Sequence, residues 1–245
     1  MVQLEVCVDS VASAMNAERG GASRVELCDN LFEGGTTPSA GCIAVVRENV
    51  SIGLQVIIRP RGGDFLYDEQ EVAVMQHDIR VAKEYGADGV VIGALTPQGR
   101  IDQTITRRLI ELARPMNVTF HRAFDMAADP GQALEDLIAL GVDRILTSGQ
   151  QATAWEGVAL IESLVKQAAG RIIIMPGGGI NEHNIQALVR QTGVSECHVS
   201  GRTTEASPMQ FQNHHVYMGG ALRVPEYERK VTSPNRIAHF RQLTN

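Results

Sequence analysis

Aromatic residues make up only 4% of the 245-residue sequence, with a single tryptophan, and basic charge is not in surplus: the formal net charge is −6. No Lys/Arg stripe is interleaved with aromatics, so nothing is offered for stacking on bases or tracking a phosphate backbone, and no nucleic-acid partner is expected. An acidic total still leaves room for a local anion site. Cysteine is scarce too. The four present, Cys7, Cys28, Cys42 and Cys197, lie far apart with no C-x-x-C pair, which argues against a disulfide framework and for thiols kept reduced in a cytosol. Long apolar runs are missing; stretches such as 89–95 are far too short to cross a bilayer. The opening MVQLEVCVDS has neither the cationic nor the apolar region of a secretion signal, so a cytoplasmic location and no membrane partner are expected. Nucleophile elbow, Walker loop and dinucleotide fingerprint are all absent.

With 44% hydrophobic residues, the chain can bury one large α/β core or two small ones. Short runs rich in β-branched residues at 4–9, 24–29, 54–59, 89–95, 118–122, 144–148, 172–175 and 196–200 read as strands. Amphipathic stretches at 11–19, 38–48, 69–85, 103–114, 130–140, 154–169 and 182–191 read as helices between them. Gly20, Gly86, Gly141, Gly170 and Gly193 stand at helix ends, where a left-handed terminator is needed. Eight strands and seven helices repeating every 30 residues or so predict a (β/α)8 TIM barrel rather than an open doubly wound sheet. One domain over 1–245 is expected, with 202–245 as an irregular C-terminal extension packed on the barrel, helical only at 235–243. Such a segment can also serve as a functional loop or an oligomer contact.

Strand side chains alternate faces. In LEVCVD, Glu5, Cys7 and Asp9 share one face and Leu4, Val6 and Val8 the other; RVELCD repeats this with Glu26 and Cys28 against Val25 and Leu27. Parity also aligns Gln55, Ile57, Arg59 and Arg61; Thr119 and His121, with Asp125 beyond them; and Glu196, His198 and Ser200. Strands one, two and eight adjoin in a closed barrel, so His198, Glu5, Cys7, Glu26 and Cys28 are expected on one wall, facing Arg59 and His121. Barrel strand ends line the active-site mouth. Buried carboxylates need partners, so Glu5 and Glu26 require Arg59, His121, His198, a metal or a ligand nearby. A self-satisfied ion-pair network beneath the site would meet the same need.

Three chemistries can use this set. Cys7 and Cys28, with His198, suit a soft ion such as Cu(I), although a buried cysteine also serves as a small hydrophobe. A hard divalent ion on Glu5, Glu26 and His121 is the second. The third is a small phosphorylated or carboxylated ligand. RIIIMPGGGI places Gly178 and Gly179 after strand seven, and CHVSGR places Ser200 and Gly201 at the end of strand eight, where barrels often seat phosphate. Arg59 and Arg61 in RPRGGDF can orient an anion. In TFHRAFD, His121 beside Asp125 is a general acid or base with its pKa drawn toward neutrality.

Together, LEVCVDS, RVELCDNL, GGTTPS, IIRPRGGDF, TFHRAFD, ILTSG and PGGGI, in that order and spacing across nearly the whole chain, resemble the CutC family of copper-homeostasis proteins. The resemblance implies a cytoplasmic TIM barrel, a homodimer and a role in copper tolerance; on the first reading the residues themselves supply a Cu(I) site, with Cys7 and Cys28 as thiolates and His198 as third ligand. The alternative is an enzyme on a small anionic metabolite, using Glu5, Glu26, His121 or Asp125 catalytically, with the copper role indirect.

Overall fold

The computed structural model describes residues 2–218 and 225–244. Eight parallel strands alternate with helices: β1 (Gln3–Val8), α1 (Val11–Arg19), β2 (Arg24–Leu27), α2 (Ala40–Asn49), β3 (Gly53–Ile57), α3 (Glu69–Glu84), β4 (Gly89–Ile92), α4 (Gln103–Ala113), β5 (Asn117–Phe120), α5 (Pro130–Leu140), β6 (Arg144–Thr147), α6 (Val158–Ala168), β7 (Ile173–Pro176), α7 (Ile185–Thr192) and β8 (Glu196–Val199). Their order across the sheet is β7-β6-β5-β4-β3-β2-β1-β8. The first and last strands of that list are consecutive in the chain, so the sheet curls into a nearly closed TIM barrel. No backbone ladder joins β7 to β8 among the described pairings. The two strands still pack closely at the seam: a Cβ placed on Gly177, just after β7, would lie 3.1 Å from His198 Cβ.

Local chemistry starts the helices where the periodicity predicts. Ser10, Asp102 and Asp129 each cap the helix that follows by accepting from a backbone N–H three residues on, and Asp68 with Glu71 forms a capping box at α3. The outward strand face is aliphatic. Val6, Val25, Leu54, Val90 and Val118 are wholly buried against helix residues such as Ala14, Val46, Met75 and Leu109, each large side chain contributing about 1.5–3 kcal/mol.

Beyond β8 the chain is more regular than the sequence predicts. A strand β9 (Arg202–Ala206) pairs antiparallel with β10 (Glu228–Thr232) ahead of α8 (Pro234–Leu243). This tail packs on the barrel: Ile237 and Phe240 of α8 are buried, and Asn16 of α1 donates to the Thr232 carbonyl at 2.9 Å. Gly20 corrects one sequence expectation. Its φ is −77°, and the left-handed conformation falls to Gly21 at +85°. Position 20 requires glycine because α8 crosses there, where a Cβ would sit 2.6 Å from Ile237 Cβ.

Candidate functional site

The inward strand faces carry two polar layers, set by register. Glu5 lies opposite both Arg24 and His198, and Cys7 opposite Glu26. The lower layer is an ion-pair chain of four buried residues: Glu5 bonds Arg24, Arg24 bonds Glu196, and both Glu196 oxygens accept from the Nε–Nη2 edge of the Arg144 guanidinium. Thr119 accepts from Arg144 at 3.2 Å. Burial opposes the Glu5 charge, but Arg24 and His198 outweigh it and hold the pKa at about 2. The expectation of an internal network is therefore met for Glu5, through arginines that sequence reasoning did not single out. Their signal was present: Arg24 and Arg144 each open a strand, on the inward parity.

The upper layer begins two residues further along each strand. His198 Nδ1 bonds Glu5 Oε1 at 2.8 Å, and its Nε2 lies 3.6 Å from Glu26. The Cys7 and Cys28 sulfurs approach to 3.9 Å. Cys7, Glu26 and His198 bring one thiol, one carboxyl and one ring nitrogen within 4.8 Å of each other. Burial works against a charge on His198, yet hydrogen bonds to Cys7 and Glu5 and the nearby carboxylates raise its pKa well above the usual value. Cys7 is lowered well below a normal thiol because Cys28 donates to it and His198 adds charge; Cys28, the donor, is raised. Burial pushes Glu26 up to about 8, with His198 only partly offsetting it. These shifts favour a protonated His198 ring and a proton shared between the two sulfurs with its charge on Cys7, and they keep the Glu26 carboxyl neutral near pH 7.

Cys7, Glu26 and His198 open on a cavity of about 490 Å³ at the C-terminal ends of the strands, which the buried Cys28 does not line. Cys7, Glu26, Arg59, His121, Asp125, Gly178, Gly179, His198 and Ser200 line it, whereas Arg61 and Gly201 do not. Arg61 turns to Glu71, Asp64 and the Leu66 carbonyl. At Gly201 a Cβ would meet Ile237 Cδ1 at 2.6 Å, so that glycine serves helix packing. Arg59 lines the cavity but is no partner of Glu5 or Glu26: its two terminal nitrogens donate to the carbonyls of Glu33, Gly35 and Gly63 at 2.7–2.9 Å, which fixes the loop after β2.

The expected His121–Asp125 pair does not form. After Phe120 the chain enters a 3-10 turn, Arg122–Met126, capped by His121 Nδ1, which accepts from the Ala123 N–H. The turn swings Asp125 toward Ser148, whose N–H and hydroxyl both donate to it, and toward Arg122 Nε at 2.7 Å. Burial, with the Arg59 charge, drops His121 to about 3, away from neutrality. It is a neutral imidazole at all ordinary pH values.

Fold and site together define a (β/α)8-barrel protein with a buried thiol–imidazole–carboxyl cluster at its C-terminal mouth. The CutC family model matches residues 2–203, and the chain belongs to that family. It is 55% identical over 234 residues to the human copper homeostasis protein cutC homolog and 55% to that of the mouse, in each case across 96% of this chain and 86% of the relative. The crystal structure of a copper homeostasis protein CutC from Streptococcus agalactiae superposes with a TM-score of 0.78 at 37% identity, over 82% of this chain and 99% of that one.

Proposed function

We propose that this chain is a copper-homeostasis protein that holds one Cu(I) at the barrel mouth, with Cys7, Cys28 and His198 as ligands. One observation carries the reading: the Glu5 carboxylate occupies His198 Nδ1, so Nε2, 3.6 Å from Glu26, is the nitrogen left for the ion, which displaces its proton on binding. A carboxylate behind an imidazole whose other nitrogen faces thiols is the usual support for a metal-binding histidine. The donors match the ion, since two sulfurs and an imidazole favour soft Cu(I) over a hard divalent cation. Glu26, held neutral by burial, adds no charge to the cluster and suits a monovalent guest better than a divalent one. The curated relatives named for copper homeostasis support the same reading.

The test is anaerobic titration with Cu(I) against a chromophoric competing chelator. The expected result is one tightly held ion per chain, with affinity lost in the Cys7→Ser, Cys28→Ser double variant. Unchanged affinity in that variant refutes the ligand assignment.

A further inference from the structure

We propose that the mouth also contains a seat for the phosphoryl group of a small phosphate monoester, formed by the Gly178, Gly179 and Ile180 amides and the Arg202 guanidinium. All four residues line the cavity that Cys7 and His198 reach from another side. The seat adjoins the copper ligands, with Gly177 packed close to His198 and the Arg202 charge acting on Cys7, but it uses none of them as a contact.

The loop geometry fixes the amides. The Gly178 carbonyl accepts from the Ala154 N–H at 2.9 Å, and the Gly179 carbonyl from Asn184 Nδ2 at 2.9 Å. A trans peptide points its N–H opposite its C=O, so tying these two carbonyls outward turns the Gly179 and Ile180 N–H groups the other way. None of the three amides donates to a protein acceptor among the described residues. Gly178 and Gly179 have φ of +95° and +69°, a backbone that only glycine adopts freely and that lets a ligand approach the amides without a Cβ in the way.

Arg202 supplies the charge. It is the first residue of β9, and its guanidinium makes no hydrogen bond or salt bridge among the described residues, while its Nε is buried without a partner. The other mouth arginines are committed, Arg59 to loop carbonyls and Arg122 to Asp125 and Ser148. His121 adds a further unmatched donor. With Nδ1 accepting from Ala123, its proton sits on Nε2, which is buried without a partner in a residue only 5% exposed. The Phe65 ring packs on it with centroids 5.1 Å apart. Donors left without an acceptor call for an acceptor-only guest, and a tetrahedral phosphate offers more acceptor directions than a planar carboxylate. A cavity of about 490 Å³ leaves room for the organic part of a small metabolite.

The test uses the metal-free full chain, so its outcome is separable from that of the copper titration. Inorganic phosphate, glycerol 3-phosphate, glycerol and acetate are titrated calorimetrically, and amide shifts are followed by NMR. Saturable one-to-one binding of phosphate and of the monoester is expected, with the largest shifts at Gly178, Gly179 and Ile180. Arg202→Gln should weaken it roughly tenfold or more, the loss of one charge-assisted contact, and Arg202→Lys should retain most of it. The proposal is overturned by any of three results: no saturable phosphate binding, the three amides unmoved at saturation, or acetate binding as tightly as phosphate. The amide shifts of the unsubstituted chain decide the matter even if Arg202→Gln fails to fold.

Discussion

Glu26 gives the sharpest quantitative test of the upper layer. Its pKa is raised from 4.5 to about 8 because the carboxyl is buried, and the nearby Cys7 and Glu5 charges add to that rise while His198 only partly offsets it. The sign follows directly. A carboxyl whose folded pKa exceeds its unfolded value binds its proton more tightly when folded, so its contribution to stability falls as pH rises from 4.5 and levels off above 8. Each pH unit in that window costs about 1.4 kcal/mol, or about 3 kcal/mol by pH 7. Glu26→Gln replaces the protonated carboxyl with a neutral group of the same shape and removes the cost. The variant should match wild type near pH 5 within about 1 kcal/mol and exceed it by about 3 kcal/mol at pH 7, a gain of about 10 °C in midpoint for a chain of this length. Urea and thermal unfolding at several pH values between 5 and 8, on metal-free protein, give the comparison. A stability difference that does not change with pH would mean that Glu26 is ionised in the fold, and the account of a neutral carboxyl would fail.

Two further outcomes concern the other layer and the thiols. Arg144→Met leaves Glu196 with Arg24 alone and should cost about 3 kcal/mol or more by urea denaturation. Adding Glu196→Gln should restore much of the loss, and a cost below about 1 kcal/mol for the single variant would deny the chain its structural part. Cys7 and Cys28 should resist oxidation to a disulfide by diamide, because Cys7 sits opposite Glu26 rather than Cys28. That two-residue offset on neighbouring strands puts the α-carbons about 8 Å apart, beyond the roughly 7 Å that a disulfide spans without backbone movement. Mass loss of two hydrogens on the peptides carrying this pair would contradict the geometry.

Strand parity made much of this site legible. Alternation alone placed Glu5, Cys7, Glu26, Cys28 and His198 on inward faces, and barrel closure brought β8, β1 and β2 together, because both are consequences of backbone geometry that every residue obeys. What followed the strands was less readable. Arg59 and Arg61 looked like anion ligands, but loop carbonyls and Glu71 capture them, and nothing in a sequence states where a loop carbonyl will point. His121 and Asp125 are close in the chain, yet a 3-10 turn sends their side chains to different partners. Arg202 went unnoticed because it opens a tail that reads as irregular, and the hairpin that carries it is held by pairing with residues far along the chain. Arg24 and Arg144 were visible in principle, but an arginine at a strand start resembles an exposed edge until the barrel closes over it.

The charge chain Arg144–Glu196–Arg24–Glu5 crosses from β6 through β8 to β2 and β1, and Glu5 belongs at once to that chain and to His198. Strands β1, β2 and β6 therefore wait for β8, which is synthesised after them. Until residues 196–198 emerge and dock, Arg24 and Arg144 lack their shared counter-ion, and Cys7 and Cys28 lie side by side without the imidazole that charges the pair. Assembly order and readiness for a guest are thus coupled: the step that seals the cylinder is also the step that arms its mouth, so a nascent or truncated chain carries the cysteines but not the site.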